Sequence, residues 1–167
     1  MSVRMDGEAT RAAFVLLAAR SRSRRELQER LLKKGFPPDQ VDAALTKLAD
    51  EGYLDDGAFA VNWARGKLSA KPVGRARLWQ ELRAKGIAEG LIAQAIEAAY
   101  KEVDELALVL LSVERKLPSL RGFDLATKRR KLVAFLERRG FSPELTRKAV
   151  EEKLGKGDED PLGVEEK

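Results

Sequence analysis

Four acidic side chains lie close together in the first third of the chain, at Asp50, Glu51, Asp55 and Asp56. Carboxylate oxygens are good ligands for Mg²⁺, so such a cluster would suit a Mg²⁺-dependent nuclease. The spacing lacks the D-x-[DN]-x-[DN]-G pattern of a calcium-binding loop, and the second pair stands where a helix would begin. Capping of that helix is the simpler interpretation, so we expect neither a metal nor a cofactor.

The composition excludes several kinds of catalysis. The chain of 167 residues has no His and no Cys, so it offers no imidazole base, no thiolate nucleophile and no disulfide. The phosphate-binding pattern GxxxxGK[ST] is absent as well. We therefore expect a protein that acts by contact and not as an enzyme. The lack of Cys fits the cytoplasm, and no apolar run is long enough to span a membrane.

An internal repeat organises the chain around three glycines, Gly35, Gly86 and Gly140, which are 51 and 54 residues apart. Each glycine follows leucines at the eighth and fourth preceding positions, and a cation stands directly before it. The leucines are Leu27, Leu78 and Leu132, then Leu31, Leu82 and Leu136; the cations are Lys34, Lys85 and Arg139. This spacing places the leucines on one face of a helix, which the glycine ends in a left-handed conformation.

A further helix is predicted before each of these helix–turn–helix pairs, at Ala9–Arg20, Gly57–Ser69 and Asp104–Leu117. Ser23 and Glu26 form a capping box for the second helix of the first repeat. No segment alternates as a strand does. The predicted fold is all-α, with three tandem three-helix repeats that form an elongated, curved protein. The predicted boundaries are a flexible N-terminus at 1–8, repeats at 9–56, 57–103 and 104–154, and a disordered acidic tail at 155–167.

The middle repeat carries a specific set of landmarks. They are the run GYLDD at 52–56, Phe59-Ala60, Gly74, Glu81-Leu82 and the run KGI at 85–87. With these landmarks the chain resembles RecX, a family of bacterial regulators of the RecA recombinase, and the resemblance extends more weakly over residues 9–153.

The resemblance implies a non-enzymatic and mainly negative regulator. Such a protein binds the filament of RecA on single-stranded DNA along its groove, and it inhibits ATPase, strand exchange and filament growth. The expected partner is therefore the RecA nucleoprotein filament, bound by a monomer. Weak, non-specific binding of single-stranded DNA is compatible with this role.

Positive charge is distributed unevenly. The net charge of +5 combines a neutral stretch at 1–57, charges of +2 at 58–105 and +6 at 106–153, and a charge of −3 at 154–167. The cation directly before each glycine would complement the helix dipole. A second column, Arg24, Arg75 and Arg129, stands eleven residues before each glycine, at the unfavourable end of the dipole. Contact with an acidic partner or phosphates is one interpretation of this column, and a solvated turn or an ion pair with an acid such as Glu26 is the other.

These cations define the predicted partner-binding residues. They lie before and along the second helices and are Arg24, Arg25, Lys67, Lys71, Arg75, Arg77, Arg129, Arg130 and Lys131. An alternative function is a DNA-binding protein of the helix-turn-helix type, which would place the last helix of a repeat in the major groove. The last helices of the first two repeats are acidic or mixed in charge, which counts against phosphate contact there.

Overall fold

The computed structural model describes residues 3–155, with side chains from Gly7 onward. Within that range it contains nine α-helices and no strand, which confirms the predicted all-α class. In chain order they are α1 (Val3–Ala19), α2 (Arg24–Lys33), α3 (Pro38–Asp50), α4 (Asp56–Ala70), α5 (Arg75–Ala84), α6 (Glu89–Tyr100), α7 (Glu105–Lys116), α8 (Leu125–Arg138) and α9 (Pro143–Leu154). A short 3₁₀ helix, Leu117–Leu120, follows α7.

The turn between the second and third helix of each repeat has the predicted conformation. The φ angles of Gly35, Gly86 and Gly140 are 91°, 77° and 82°, a left-handed region that side chains other than glycine rarely adopt. The apolar residue that follows each glycine donates a backbone hydrogen bond to a carbonyl at the end of the preceding helix, as in the 3.2 Å bond from the Phe141 N–H to the Leu136 carbonyl. This bond satisfies a carbonyl that the helix leaves open.

Helix starts follow their capping residues. Ser23 and Glu26 form the predicted capping box at α2, and Pro38 and Pro143 occupy the first turn of α3 and α9. The α1 helix begins at Val3, so it includes residues 3–8 of the N-terminal segment that the sequence predicts to be flexible. The single glycine there costs a helix only about 1 kcal/mol, too little to stop it. Residues 156–167 of the predicted tail lie outside the described residues.

The described residues separate into two compact units, whereas the sequence predicts three tandem repeats. One unit contains the described residues up to Ala64 together with Gln80–Ala98; the other contains Arg65–Trp79 and the described residues from Ala99 on. The division passes through α4 and α5, so the middle repeat contributes to both units.

Each unit has its own core, built on the predicted leucines. In the first unit α1 packs on α3, and Leu27 and Leu31 are fully buried beside Leu45 and Leu48. In the second unit α7 and α8 pack on α9, and Leu132 and Leu136 are fully buried beside Val109 and other apolar side chains. Leu78 and Leu82 of α5 are fully buried too, so all six repeat leucines are core residues as their spacing predicts.

Candidate partner-binding surface

The predicted binding residues lie around the N-terminal halves of the second helices. Arg24 and Arg25 begin α2, Arg75 and Arg77 begin α5, and the α8 run starts at Arg129. Lys67 and Lys71 lie in and just after the last turn of α4. Their burial differs sharply: Arg25, Lys71, Arg77, Arg130 and Lys131 are exposed, Arg24, Lys67 and Arg75 are half-buried, and Arg129 is buried.

Each arginine of the repeated column makes contacts within the protein itself. Arg129, only 8% exposed, donates from its guanidinium to the carbonyls of Leu154, at 3.0 Å, and Gly155, where α9 ends. These carbonyls have no partner within the helix, and the negative end of the helix dipole favours a cation there. Arg129 therefore caps α9. The sequence does not predict this role because Arg129 and Leu154 are 25 residues apart.

The other two members of the column also contact their own surroundings. Arg75 makes a 2.7 Å ion pair with Glu105 and lies 4.7 Å above the ring of Tyr100, the last residue of α6. Arg24 donates to the Leu45 carbonyl in α3 at 3.5 Å. Because each arginine contacts the third helix of its own repeat, the repetition has a structural cause.

The cation directly before the glycine joins consecutive repeats. Lys85 forms a 2.9 Å ion pair with Glu26 of the first repeat, and its ammonium lies 4.0 Å from the centre of the Trp63 ring. The Lys85 carbonyl accepts a 2.7 Å hydrogen bond from the Ser23 hydroxyl. Burial acts to raise the pKa of Glu26, but hydrogen bonds from Lys85, Arg20 and the Ser23 backbone lower it to about 2. The side chain of Lys85 thus has a partner that the sequence does not predict.

The junction between the second and third repeats also joins the start of one second helix to the end of the next, but here backbone N–H groups are the donors. Gly74, directly before α5, donates its N–H to the Arg139 carbonyl at 2.8 Å, and Ala76 donates to the Gly140 carbonyl at 3.2 Å. Arg139 in turn donates to the Pro72 carbonyl at 2.9 Å. The positive N-terminal end of α5 therefore meets the negative C-terminal end of α8, which satisfies open groups at both.

Glycine is required on both sides of this second junction. A Cβ on Gly74 would overlap the carbonyl group of Gly140 and the Phe141 nitrogen, and a Cβ on Gly140 would overlap the Arg77 backbone. Gly74, one of the landmarks of the RecX resemblance, is thus a point of close backbone approach.

The acidic cluster in the first third of the chain has structural partners. Asp55 accepts a 2.9 Å hydrogen bond from the Ala58 N–H, which confirms the predicted cap of α4. Asp56 accepts a 2.7 Å bond from the Arg24 N–H; burial raises its pKa, and the Arg24 bond opposes the rise. Within residues 3–155 no group of three or more acidic side chains is arranged to hold a metal ion.

Five of the predicted cations are exposed, and their settings differ. Arg25 pairs with Glu29 at 2.9 Å, but both side chains are more than half exposed and such pairs contribute little. Lys131 lies 4.6 Å above the ring of Phe123, which is 43% exposed. We call Arg25, Lys71, Arg77, Arg130 and Lys131 the exposed basic set. In the described part of the chain, no helix is both long and apolar enough to cross a bilayer.

Comparisons with known proteins cover most of the chain. Residues 9–48, 55–96 and 102–150 match the first, second and third three-helix domains of RecX respectively. Among curated proteins, the Regulatory protein RecX of Pelodictyon phaeoclathratiforme is 42% identical over 129 residues, which are 77% of this chain and 78% of that protein. The Regulatory protein RecX of Halorhodospira halophila is 39% identical over 142 residues, 83% of this chain and 84% of that protein.

Solved structures agree with these matches. The crystal structure of RecX from Lactobacillus salivarius superposes with a TM-score of 0.78 at 19% identity, over 90% of this chain and 97% of that one. A second crystal structure of regulatory protein RecX gives a TM-score of 0.80 at 23% identity, over 87% of this chain and 71% of the other. At these identities the two structures establish the shared fold. With all three domains matched in order and curated relatives above 30% identity, the chain belongs to the RecX family.

Proposed function

We propose that this protein regulates the RecA recombinase, mainly as an inhibitor. It binds the filament of RecA on single-stranded DNA along its groove and restrains ATPase, strand exchange and filament growth. The observation that carries this proposal is family membership, since the matched relatives bear the name Regulatory protein RecX. The role places the protein in the cytoplasm, as a monomer, in recombination, DNA repair and the SOS response.

The proposed binding face of each unit consists of its members of the exposed basic set, which are Arg25 in the first unit and Lys71, Arg77, Arg130 and Lys131 in the second. Arg25 and Arg77 lie in the first turns of α2 and α5, and Arg130 and Lys131 lie in the second turn of α8. The junctions described above hold the first turns of α2 and α5 through hydrogen bonds, which fixes the backbone positions of Arg25 and Arg77. Preorganised cations of this kind suit an acidic protein surface or a line of phosphates, and they act most strongly on the rate of association.

Arg24, Arg75 and Arg129 contribute to this face indirectly. Each is held by a contact within the protein, so we propose that they position the helices whose exposed neighbours meet the partner. A charge reversal at Arg75 or Arg129 would disturb folding as well as binding. Arg25 and Arg130 are better probes because both are exposed and neither donates a hydrogen bond to a junction or a cap, although the stem of Arg25 lies against Gly86.

The test is the single-stranded-DNA-dependent ATPase of RecA with this protein titrated in. An Arg25→Glu, Arg130→Glu double variant is compared with a Lys47→Glu, Lys101→Glu double variant, which changes two equally exposed cations in and just after third helices. We expect the first variant to need roughly ten times more protein for half-inhibition, from two exposed charge contacts. The control should inhibit like the native protein.

Each outcome decides a different part of the proposal. If the native chain neither inhibits the ATPase nor sediments with filaments, regulation of RecA is wrong. If both double variants inhibit equally, the filament is bound elsewhere. Tight, sequence-dependent binding to duplex DNA in a gel shift would instead support the helix-turn-helix alternative, which the acidic residues Asp39 and Asp42 on α3 disfavour.

A further inference from the structure

A buried arginine at the corner between α1 and α2 has more hydrogen-bond donors than the protein uses. Arg22 is only 7% exposed, and its Nε donates to the Leu16 carbonyl at 3.1 Å. Among the described residues this is its one hydrogen bond, and its terminal nitrogen Nη1 is buried without an acceptor. Burying a charged donor without an acceptor is unfavourable, so such a group in a native protein usually marks the place of a water or an ion.

Two exposed arginines lie close to this buried guanidinium group. Arg20 is two residues before Arg22, and it contacts Glu26 on α2 at 3.4 Å. Arg30 follows Glu26 by one helical turn, on the same face of α2. Burial lowers the pKa of Arg22, and the neighbouring charges of Arg20 and Arg30 lower it further. The three arginines therefore form a cluster whose charges act on one another.

The carboxylates of this region do not balance the cluster. Glu26 already forms a 2.9 Å ion pair with the Lys85 ammonium. Residues 20–34 contain seven cations and only two acids, and the second acid, Glu29, pairs with Arg25. The corner between α1 and α2 therefore retains positive charge that an anionic ligand would compensate.

The chemistry of the cluster favours a phosphate group with two negative charges. A guanidinium group is planar and donates in pairs, which matches two oxygens of a phosphate or of a carboxylate. A carboxylate carries one charge and two oxygens, so it would leave most of the donors of three arginines unused. A phosphate group offers three strong acceptor oxygens and a charge of about −2 near neutral pH, which suits all three.

We infer that Arg20, Arg22 and Arg30 bind a dianionic phosphate group, with Arg22 as the inner contact and the two exposed arginines as the outer contacts. The same chemistry is presented by two sources, a free phosphate ion and the terminal phosphate of a nucleic-acid strand. None of the three arginines belongs to the exposed basic set, so the site goes beyond the proposed contact with RecA and does not rest on it.

The test is a titration of the full ¹⁵N-labelled chain, followed by NMR at constant ionic strength. The probes are inorganic phosphate, for the free ion, and a short oligothymidylate with a 5′-phosphate, for the strand end. The Arg22 Nε–H signal is the most direct reporter, because its hydrogen bond to Leu16 slows exchange with water. We expect at least one probe to shift this signal saturably, and the probe that binds more tightly identifies the source. The same oligothymidylate without its 5′-phosphate should not produce the shift.

Two double variants separate this site from general attraction to a basic protein. Arg20→Gln with Arg30→Gln removes the outer contacts and keeps the buried Arg22, so the fold is retained and Kd should rise about ten-fold. Arg11→Gln with Lys47→Gln changes two exposed cations of the same unit, loses the same charge and should bind like the native protein. The proposed site is ruled out if the shifts never saturate with either probe, if both double variants bind equally, or if the strand without its 5′-phosphate shifts the same signals.

Discussion

The contact between Gly74 and the Gly140 turn offers the sharpest test of how consecutive repeats are joined. In a Gly74→Ala variant the new methyl group would overlap the backbone of Gly140 and Phe141. Gly74 does not have a left-handed φ angle, so alanine can adopt its backbone conformation, and the penalty comes from the contact alone. Backbone atoms cannot rotate away as the end of a flexible side chain can.

The size of the penalty follows from two terms. Forcing an extra methyl into a closely packed site costs about 1–3 kcal/mol. Relief of the overlap must also lengthen the hydrogen bonds from Gly74 and Ala76 to the α8 carbonyls, each of which contributes about 0.5–1.5 kcal/mol. Lengthening these bonds forfeits about half of their combined contribution, so we expect the free energy of unfolding to fall by about 2–4 kcal/mol in total.

A second glycine gives the matched control. Gly66 lies inside α4 with open space around its Cα, so Gly66→Ala should raise the free energy of unfolding by up to about 1 kcal/mol through helix propensity. Both variants are measured by urea denaturation, followed by the helical circular dichroism signal. A Gly74→Ala midpoint at or above that of the native protein would refute the described junction.

Two further predictions concern the ionic contacts. The pKa of Glu26 is about 2 in the folded protein, against an ordinary value of 4.5. The ionised carboxylate therefore stabilises the folded state above about pH 4.5, and this contribution is lost as the pH falls toward 2. In a Glu26→Gln variant the loss of stability on acidification should therefore be smaller by about 1–2 kcal/mol, a value that already allows for solvent screening. The measurement is urea denaturation of both proteins at about pH 5 and pH 2.5. Arg129→Met keeps the buried stem but removes the cap of α9, so it should cost about 1–3 kcal/mol and speed hydrogen exchange in the last turn of α9. Arg130→Met should change stability by less than about 0.5 kcal/mol, and equal effects of the two substitutions would contradict the capping role.

Local features of the fold could be predicted from the sequence because they depend on neighbouring residues. The leucines four and eight positions before Gly35 give the buried face of α2, and Ser23 with Glu26 gives its start. The glycine turn needs only a residue that tolerates a positive φ. None of these inferences requires knowledge of which repeat lies against which.

The candidate site was harder to predict because its contacts join distant parts of the chain. The partners of Arg129, Lys85 and Gly74 lie 25, 59 and 65 residues away. A repeated cation looks the same in sequence whether it faces a partner or caps a helix. Only burial separates Arg129 from its exposed neighbour Arg130. The predicted binding residues therefore divide into arginines that are held by contacts within the protein and an exposed set, and our proposal assigns partner contact to the exposed set.

The helix α8 begins differently from the second helices of the first two repeats. In the first two repeats the residue twelve positions before the turn glycine, Ser23 or Gly74, directly precedes its helix and binds the next repeat. The equivalent residue in the third repeat is Lys128, but α8 starts one turn earlier at its cap Asp124. The Lys128 N–H is already bonded to the Asp124 carbonyl at 2.9 Å, so it cannot receive another helix end. The extra turn therefore uses, within α8 itself, the backbone N–H that Gly74 donates to its neighbour at the start of α5, so α5 and α8 begin differently although their leucines and glycines have the same spacing.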